Sequence, residues 1–291
     1  GLIFGFVALL AFVIIIDATA EAPTDWSPSY VHDKNKALST EIFYDNLKVL
    51  SGNIQHLKRP PFEVLNDSVP KSGTYFFINN YVSLTKEESE SLLSWVNSGN
   101  TAFIASEGIP KSLLDTLSLD VSFHVSNSEI EYLPSFNLKD PSLALKEFNT
   151  SRKSFEYSYF SEIDTSTTSL LGSVKTKATE EATHTNFVEI AWGEGKFLLH
   201  LAPQVYTNYF ILDDRNSSYT SRTLGYINLN QALFWDDYYK AGEDKITNNL
   251  YYLLTNRYLR TAYYLVIITS LLFIFFAGKR KQRAIPIVPP V

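Results

Sequence analysis

No cysteine and no methionine occur among the 291 residues, and each absence removes something. Without cysteine there is no disulfide scaffold, zinc ribbon, thiol nucleophile or cysteine-ligated iron–sulfur cluster. Charge is also scarce: 19% of residues are charged, against 45% hydrophobic and 14% aromatic. Such a chain has the apolar material to bury a core, which sets it apart from disordered sequences, and its length allows one large domain or two small ones. The missing methionine has a second meaning. The sequence opens on Gly1 inside an apolar run, as expected of a fragment or processed product of something longer.

Two apolar runs organise the chain. Residues 1–16 carry no charge, but sixteen helical residues span only about 24 Å against a hydrocarbon core of about 30 Å, so residues upstream are expected to complete a truncated transmembrane helix. Ala18-Thr19-Ala20 also has the form of a signal-peptidase site. An uncleaved anchor is favoured, because the run is longer than most signal cores and Asp17 separates it from the site. The second run, residues 261–278, lies uncharged between Arg260 and Lys279 and reads as a transmembrane helix. Tyr258, Tyr263 and Tyr264 form an aromatic belt at its start. Lys279, Arg280, Lys281 and Arg283 follow it, which places residues 279–291, the start of a basic tail, in the cytoplasm. Residues 17–260 are then expected outside the cytoplasm. The tail takes four basic residues and no acid, leaving 21 basic against 31 acidic residues before it, a net of −10. So acidic a domain is a poor partner for nucleic acid or anionic lipid headgroups.

Within that domain the pattern is α/β. Tyr75-Phe76-Phe77-Ile78 is an unbroken apolar run suited to a strand buried on both faces. Thr85 and Glu88 have the spacing of a capping box, followed by Leu92, Leu93 and Val96 on one helical face. Gly99-Asn100 ends that helix, and Thr101–Ala105 begins a second strand, giving a βαβ unit and a parallel sheet. Thr40–Leu50 is an amphipathic helix, Ile54–Leu57 a short strand, Lys111–Leu117 a helix and Val121–Val125 another strand. Residues 127–186 have short apolar runs rich in Ser and Thr, read as an inserted, largely β segment. Phe187–Trp192 and Lys196–Leu201, joined by Gly193-Glu194-Gly195, form a hairpin. A phosphate-binding reading of that glycine pair fails on spacing.

Ligands of open α/β sheets gather at the carboxyl ends of the strands. The candidates there are Asn79 and Asn80, Ser106 and Glu107, and Gln204. Ser106 is the one strand-end nucleophile, yet Ile104-Ala105-Ser106-Glu107-Gly108 lacks the first glycine of a nucleophile elbow, so a capping role is favoured. The histidines His32, His56, His124, His184 and His200 are scattered without metal-binding spacing; a metal site would need distant parts, and no metal or other cofactor is assigned. His200 alternates with Leu199 and Leu201 and is expected on the opposite strand face. Trp235 and Asp236, with Asp237, Tyr238 and Tyr239, could bind sugar or calcium, though a solvated turn or packing near the membrane is favoured.

Four segments resemble a known family. They are Asp25–Tyr30, Ser94–Ser106, Ala202–Tyr209, and Leu259–Tyr264 continuing through Gln282–Pro286. The family is a group of bacterial membrane proteins, chiefly from Bacteroidetes, catalogued as a domain of unknown function and encoded near MoxR-type ATPases. Ala37-Leu38-Ser39-Thr40 stands where that family has Pro-Tyr-Gly-Thr. The resemblance implies an extracytoplasmic domain similar to class I glutamine amidotransferases. The expected architecture is therefore a three-layer, flavodoxin-like or amidotransferase-like, mostly parallel sheet with an inserted β-rich segment, flanked by two transmembrane helices. Those amidotransferases attack with cysteine, so the resemblance does not carry their activity.

The leading expectation is a non-enzymatic module of the bacterial inner membrane, both ends cytoplasmic and the central domain periplasmic. It would bind envelope proteins or a ligand and work with a MoxR-type ATPase system. The rivals are a hydrolase using Ser106 or Glu107 with His200, and a saccharide-binding module using Trp235, Asp236 and Tyr238.

Overall fold

The computed structural model describes residue 12 and residues 24–52, 54–67, 72–124, 133–146, 149–150, 157–175, 183–240, 253–254 and 257–279. The chain divides into one compact unit of residues 24–243 and a second of residues 1–23 with 244–291. The larger unit begins α1 (Glu41–Ser51), β1 (Ile54–Leu57), α2 (Pro61–Asp67), β2 (Gly73–Ile78), α3 (Lys86–Asn97), β3 (Thr101–Ala105), α4 (Lys111–Thr116) and β4 (Leu119–His124). It continues β5 (Ser135–Leu138), β6 (Asn149–Thr150), β7 (Tyr157–Ile163), β8 (Thr168–Lys175), β9 (His184–Trp192), β10 (Gly195–His200), α5 (Asn208–Ile211), α6 (Asp214–Thr223) and β11 (Ala232–Asp236).

Nine strands form one mixed sheet in the order β1-β11-β2-β3-β10-β9-β8-β5-β6, while β4 pairs with β7. The first five are parallel neighbours. From β10 outward each pairing is antiparallel. The β-rich stretch after β4 thus extends the sheet from its far side through β5, β6 and β8. Strand alternation sorts the side chains of the parallel half into two cores. Phe76, Ile78, Phe103, Leu198, Leu233 and Trp235 pack with Phe43, Tyr44 and Leu47 of α1 and with Phe210 and Tyr219 of α5 and α6. Tyr75, Phe77, Ile104, Phe197, Leu199 and Phe234 pack with Leu92, Trp95 and Val96 of α3 and with Leu113 and Leu114 of α4. Both faces are covered, which is why these strands read as continuous apolar runs.

Local chemistry sets the element ends. Thr85 accepts from the Glu88 backbone N–H at 3.2 Å and the Glu88 carboxylate accepts from the Thr85 N–H at 2.8 Å, completing the capping box of α3. The β9–β10 hairpin turns on two residues, Gly193 and Glu194, with Gly195 already in β10, so the connection is one residue shorter than the sequence indicates. Gly193 sits at φ 60 with Asn97 packed against it, where a side chain has neither the conformation nor the room. Two features lie where sequence reading assigned no regular structure. Residues 208–223 form α5 and α6, and Ala232–Asp236 is a buried strand inserted between β1 and β2, not a solvated turn. A run of four apolar residues, Ala232–Trp235, is too short for periodicity to distinguish strand from helix or turn.

In the second unit, α7 (Arg257–Lys279) contains one window, Tyr258–Phe276, long and apolar enough to cross a membrane, with mean hydropathy 1.9 and none of it buried. Thr269 and Ser270 donate their hydroxyls back to the carbonyls of Leu265 and Val266 at 2.7 and 2.8 Å, so these two hydroxyls are satisfied within the helix. It is the single such helix among the described residues. The first apolar run, 1–16, lies outside them except for residue 12, as does the tail from 280 onward.

Candidate functional site

The parallel strands β1, β11, β2, β3 and β10 all deliver their carboxyl ends to one rim, and the polar residues gathered there fall into two groups. At the β3 and β10 end, Ser106 is fully buried and its hydroxyl faces two backbone carbonyls, Asn80 at 3.0 Å and Gly108 at 2.8 Å. One hydroxyl proton shared between two carbonyls closes a turn; it does not prime a nucleophile. The Asn80 carbonyl also accepts from the N–H groups of Glu107 and Gly108, and Asn79 donates its side-chain amide to the Tyr81 carbonyl at 3.0 Å. Gln204 donates its side-chain amide to the Glu107 carboxylate. Burial, then nearby Glu107 and Tyr81, push the Tyr30 phenol well above its ordinary value.

His200 completes this end and shows why no dyad forms. It projects to the face opposite Leu199 and Leu201, as its alternation indicates, against Phe187, Tyr206 and Tyr219. Nδ1 accepts from the Ala202 N–H at 3.1 Å, so Nε2 carries the hydrogen that meets the Tyr219 hydroxyl at 2.9 Å. Complete burial lowers its pKa to about 3, fixing the ring as neutral. Both nitrogens are thus engaged away from Ser106.

The β1 and β11 end is built differently. Residues 30–40 form a closed loop: Tyr30 N–H donates to the Leu38 carbonyl at 2.8 Å and Thr40 N–H to the Val31 carbonyl at 2.9 Å. Asn208, at the start of α5, fastens this loop through its side-chain amide to the Lys36 carbonyl at 3.0 Å and its N–H to the Ser39 carbonyl at 2.7 Å. Trp26 meets Tyr209 edge-on at 4.8 Å, so two of the segments that carry the family resemblance pack together. His32 rides on this loop. His56 comes from β1, where it pairs in register with Trp235 and packs against Tyr44 of α1. Asp237 follows β11, held by its own N–H to the Leu57 carbonyl at 2.9 Å.

These three residues converge. His56 Nδ1 lies 2.7 Å from one Asp237 oxygen and His32 Nδ1 3.2 Å from the other, with the two imidazole centroids 4.5 Å apart. The Tyr44 hydroxyl meets His56 Nε2 at 2.7 Å. All three ligand atoms lie within 4.8 Å of one another, in a group half-buried and open to one side. Burial pushes the Asp237 carboxyl up, but the two imidazoles outweigh it and hold the pKa below its ordinary value. His32 and Asp237 of this group line an opening of about 430 Å³ together with Asp33, Lys34, Lys58, Tyr238 and Lys240.

Beneath this opening Asp236 is almost wholly enclosed, accepting from the Tyr75 hydroxyl at 3.2 Å and the Tyr239 N–H at 2.9 Å. Burial raises its carboxyl to about 6 despite Lys240 and those two donors. The Lys240 ammonium turns inward, donating to the Ile78 carbonyl at 3.0 Å and lying 4.8 Å from the Trp235 ring centroid. Burial lowers its pKa to about 8 against the pull of Asp236 and Asp237. Trp235 itself is fully buried between Phe43, Tyr44 and Phe76, so its ring is not presented for sugar stacking.

Of the residues chosen from sequence, Asn79, Asn80, Ser106, Glu107 and Gln204 do meet at one end of the rim, while Trp235 and Asp236 lie in the floor of the other. Sequence reasoning missed His32, His56, Tyr44 and Lys240 as members of a site. The surviving signal was Asp237 within Trp-Asp-Asp-Tyr-Tyr; nothing in the spacing ties it to histidines 205 and 181 residues earlier.

Comparison with known proteins gives a family but no activity. No curated protein matches. Among solved structures, the chain is similar to the mmIFT52 N-terminal domain, at 15% identity over 66% of this chain and 90% of that one, with a TM-score of 0.45. It is also similar to the exo-β-1,4-mannosidase Op5Man5 from Opitutaceae bacterium strain TAV5, at 14% identity over 67% of this chain and 32% of that one, TM-score 0.41. The cytoplasmic protein STM3548 from Salmonella typhimurium matches at 10% identity over 65% of this chain and 87% of its own, TM-score 0.39. The chain belongs to the DUF4350 family, a domain of unknown function, whose sequence profile it matches over residues 43–224.

Proposed function

We propose that this chain is a membrane-anchored α/β module that binds an anionic ligand, free or presented by an envelope partner, in the opening at the carboxyl ends of β1 and β11. The observation that carries this reading is the placing of Lys34 and Lys58 on one concave opening of an acidic chain. The closed state of the Ser106 end supports binding over hydrolysis. Lys279 closing the apolar helix, with Arg280, Lys281 and Arg283 behind it, supports a domain on the outer side of the bacterial inner membrane with the tail in the cytoplasm. The family resemblance supports an uncleaved first span, an amidotransferase-like domain without amidotransferase chemistry, and a working association with a MoxR-type ATPase system.

Calorimetry on the full chain in detergent, with phosphate, short dicarboxylates and sugar acids as probes, tests the binding reading. At least one anion is expected to bind, with affinity falling about tenfold or more in Lys58→Ala and unchanged in Ser106→Ala. A turnover activity abolished by Ser106→Ala would overturn it in favour of a hydrolase. The cysteine-free background also permits a topology test: Ser98→Cys should react with an impermeant maleimide in spheroplasts, and Gln282→Cys only after lysis. The reverse pattern overturns the orientation.

A further inference from the structure

We infer that His32, His56 and Asp237 are the protein ligands of a divalent transition-metal ion of the zinc class. The inference uses the same opening as the proposal above but does not depend on the anion proposed there. Three separate parts of the chain supply the donors: the 30–40 loop, strand β1 and the residue after β11. Donors about 2.0–2.2 Å from a tetrahedral ion sit about 3.3 Å from one another. His32 Nδ1 lies 3.2 Å from one Asp237 oxygen, already at that value, His56 Nδ1 lies 2.7 Å from the other oxygen, and the three donor atoms fall within 4.8 Å of one another, so partly open side chains have to close on the ion.

The contacts of the two imidazoles bear on the choice between a metal and a plain hydrogen-bonded cluster. His32 Nδ1 is enclosed and faces Asp237, yet it makes no hydrogen bond of acceptable geometry, which leaves a buried nitrogen for an ion to satisfy. His56 has its far nitrogen on the Tyr44 hydroxyl, the outer partner that fixes a ligating imidazole in rotation and tautomer. The 2.7 Å contact of His56 Nδ1 with Asp237 is a hydrogen bond when Nδ1 carries the hydrogen; with Nε2–H donating to Tyr44 instead, the Nδ1 lone pair is free for an ion. Two imidazoles and a carboxylate suit zinc, cobalt or nickel better than calcium or magnesium, which take all-oxygen shells. Three protein ligands leave a coordination position toward the opening, as in sites that bind an exogenous group and unlike closed structural sites. The neighbouring lysines oppose a bare cation and favour one that carries an anionic fourth ligand.

Cobalt titration of the untagged, chelator-stripped full chain in detergent tests this. One equivalent is expected to give the visible d–d absorption of a four- or five-coordinate ion. His32→Ala and Asp237→Asn should each weaken binding at least about 100-fold, and His184→Gln, on β9 away from the cluster, should leave it unchanged. A readout that needs no variant is the histidine ring NMR spectrum, in which zinc should move two of the five imidazoles. A folded wild-type chain without saturable cobalt binding overturns the inference. So do bands that persist in both ligand variants, or zinc shifts spread over all histidines. Cobalt binding retained in Lys58→Ala after anion binding is lost would separate the two proposals.

Discussion

The two ends of the strand-end rim contain similar residues under opposite conditions. At the β3 and β10 end, His200, Ser106 and Thr207 are fully enclosed, and their ring nitrogens and hydroxyls have partners within the fold. There the residues after β10 turn back as a short helical segment, Pro203–Tyr206, and α5 and α6 pack over them. At the other end β1 is an edge strand, covered by the 30–40 loop and α1, and His32, His56 and Asp237 remain partly open. A histidine is thus a core residue or a candidate ligand according to what lies over its strand end. The helices that follow β10 seal one end; no comparable element follows β11 among the described residues.

Substitutions at the two ends should separate them. The largest effect is expected from His200→Leu, which strands the Tyr219 hydroxyl and the Ala202 N–H in the core and should cost about 3 kcal/mol in a denaturant titration. His32→Gln and His56→Gln, partly exposed, should each cost less than about 1 kcal/mol. Equal losses at both ends would erase the distinction.

Next in size is an acid effect. The folded pKa of His200 is depressed to about 3 from an ordinary 6.5, so the unfolded chain takes up a proton across that window while the folded chain does not. The contribution of His200 is fully present above pH 6.5 and is lost as pH falls toward 3, at up to about 1.4 kcal/mol per pH unit. Urea midpoints measured from pH 7 down to pH 5 should show this slope in the wild-type chain and lack it in His200→Leu. The smallest effect belongs to Ser106→Ala. Losing a hydroxyl shared between two carbonyls should cost about 1 kcal/mol and leave anion and cobalt binding intact.

Much of the parallel half was legible in the residues. Tyr75–Ile78 and Thr101–Ala105 declare buried strands by unbroken apolar runs, Thr85 and Glu88 declare a helix start, and Ile54–Leu57 is a strand at the residues expected. These signals are local, between residues close enough in sequence for periodicity or a cap to show. Ala232–Asp236 was not legible as a sheet strand, because its place between β1 and β2 depends on a chain return across the sheet that leaves no mark in five residues. The site divides the same way. Gln204 and Glu107 were found because each follows a recognisable strand. His32 was not, because its loop is shaped by hydrogen bonds to Asn208, far along the chain.

The sequence by itself determined the absence of thiol chemistry, the apolar helix at residues 261–278 and the α/β alternation of the parallel half, since each rests on composition or on neighbours within a few turns of chain. Only the tertiary structure decided which histidine is sealed in the core and which two share a carboxylate. Burial and approach to a distant partner set the state of an imidazole, and both are properties of what packs over it, not of the residues beside it.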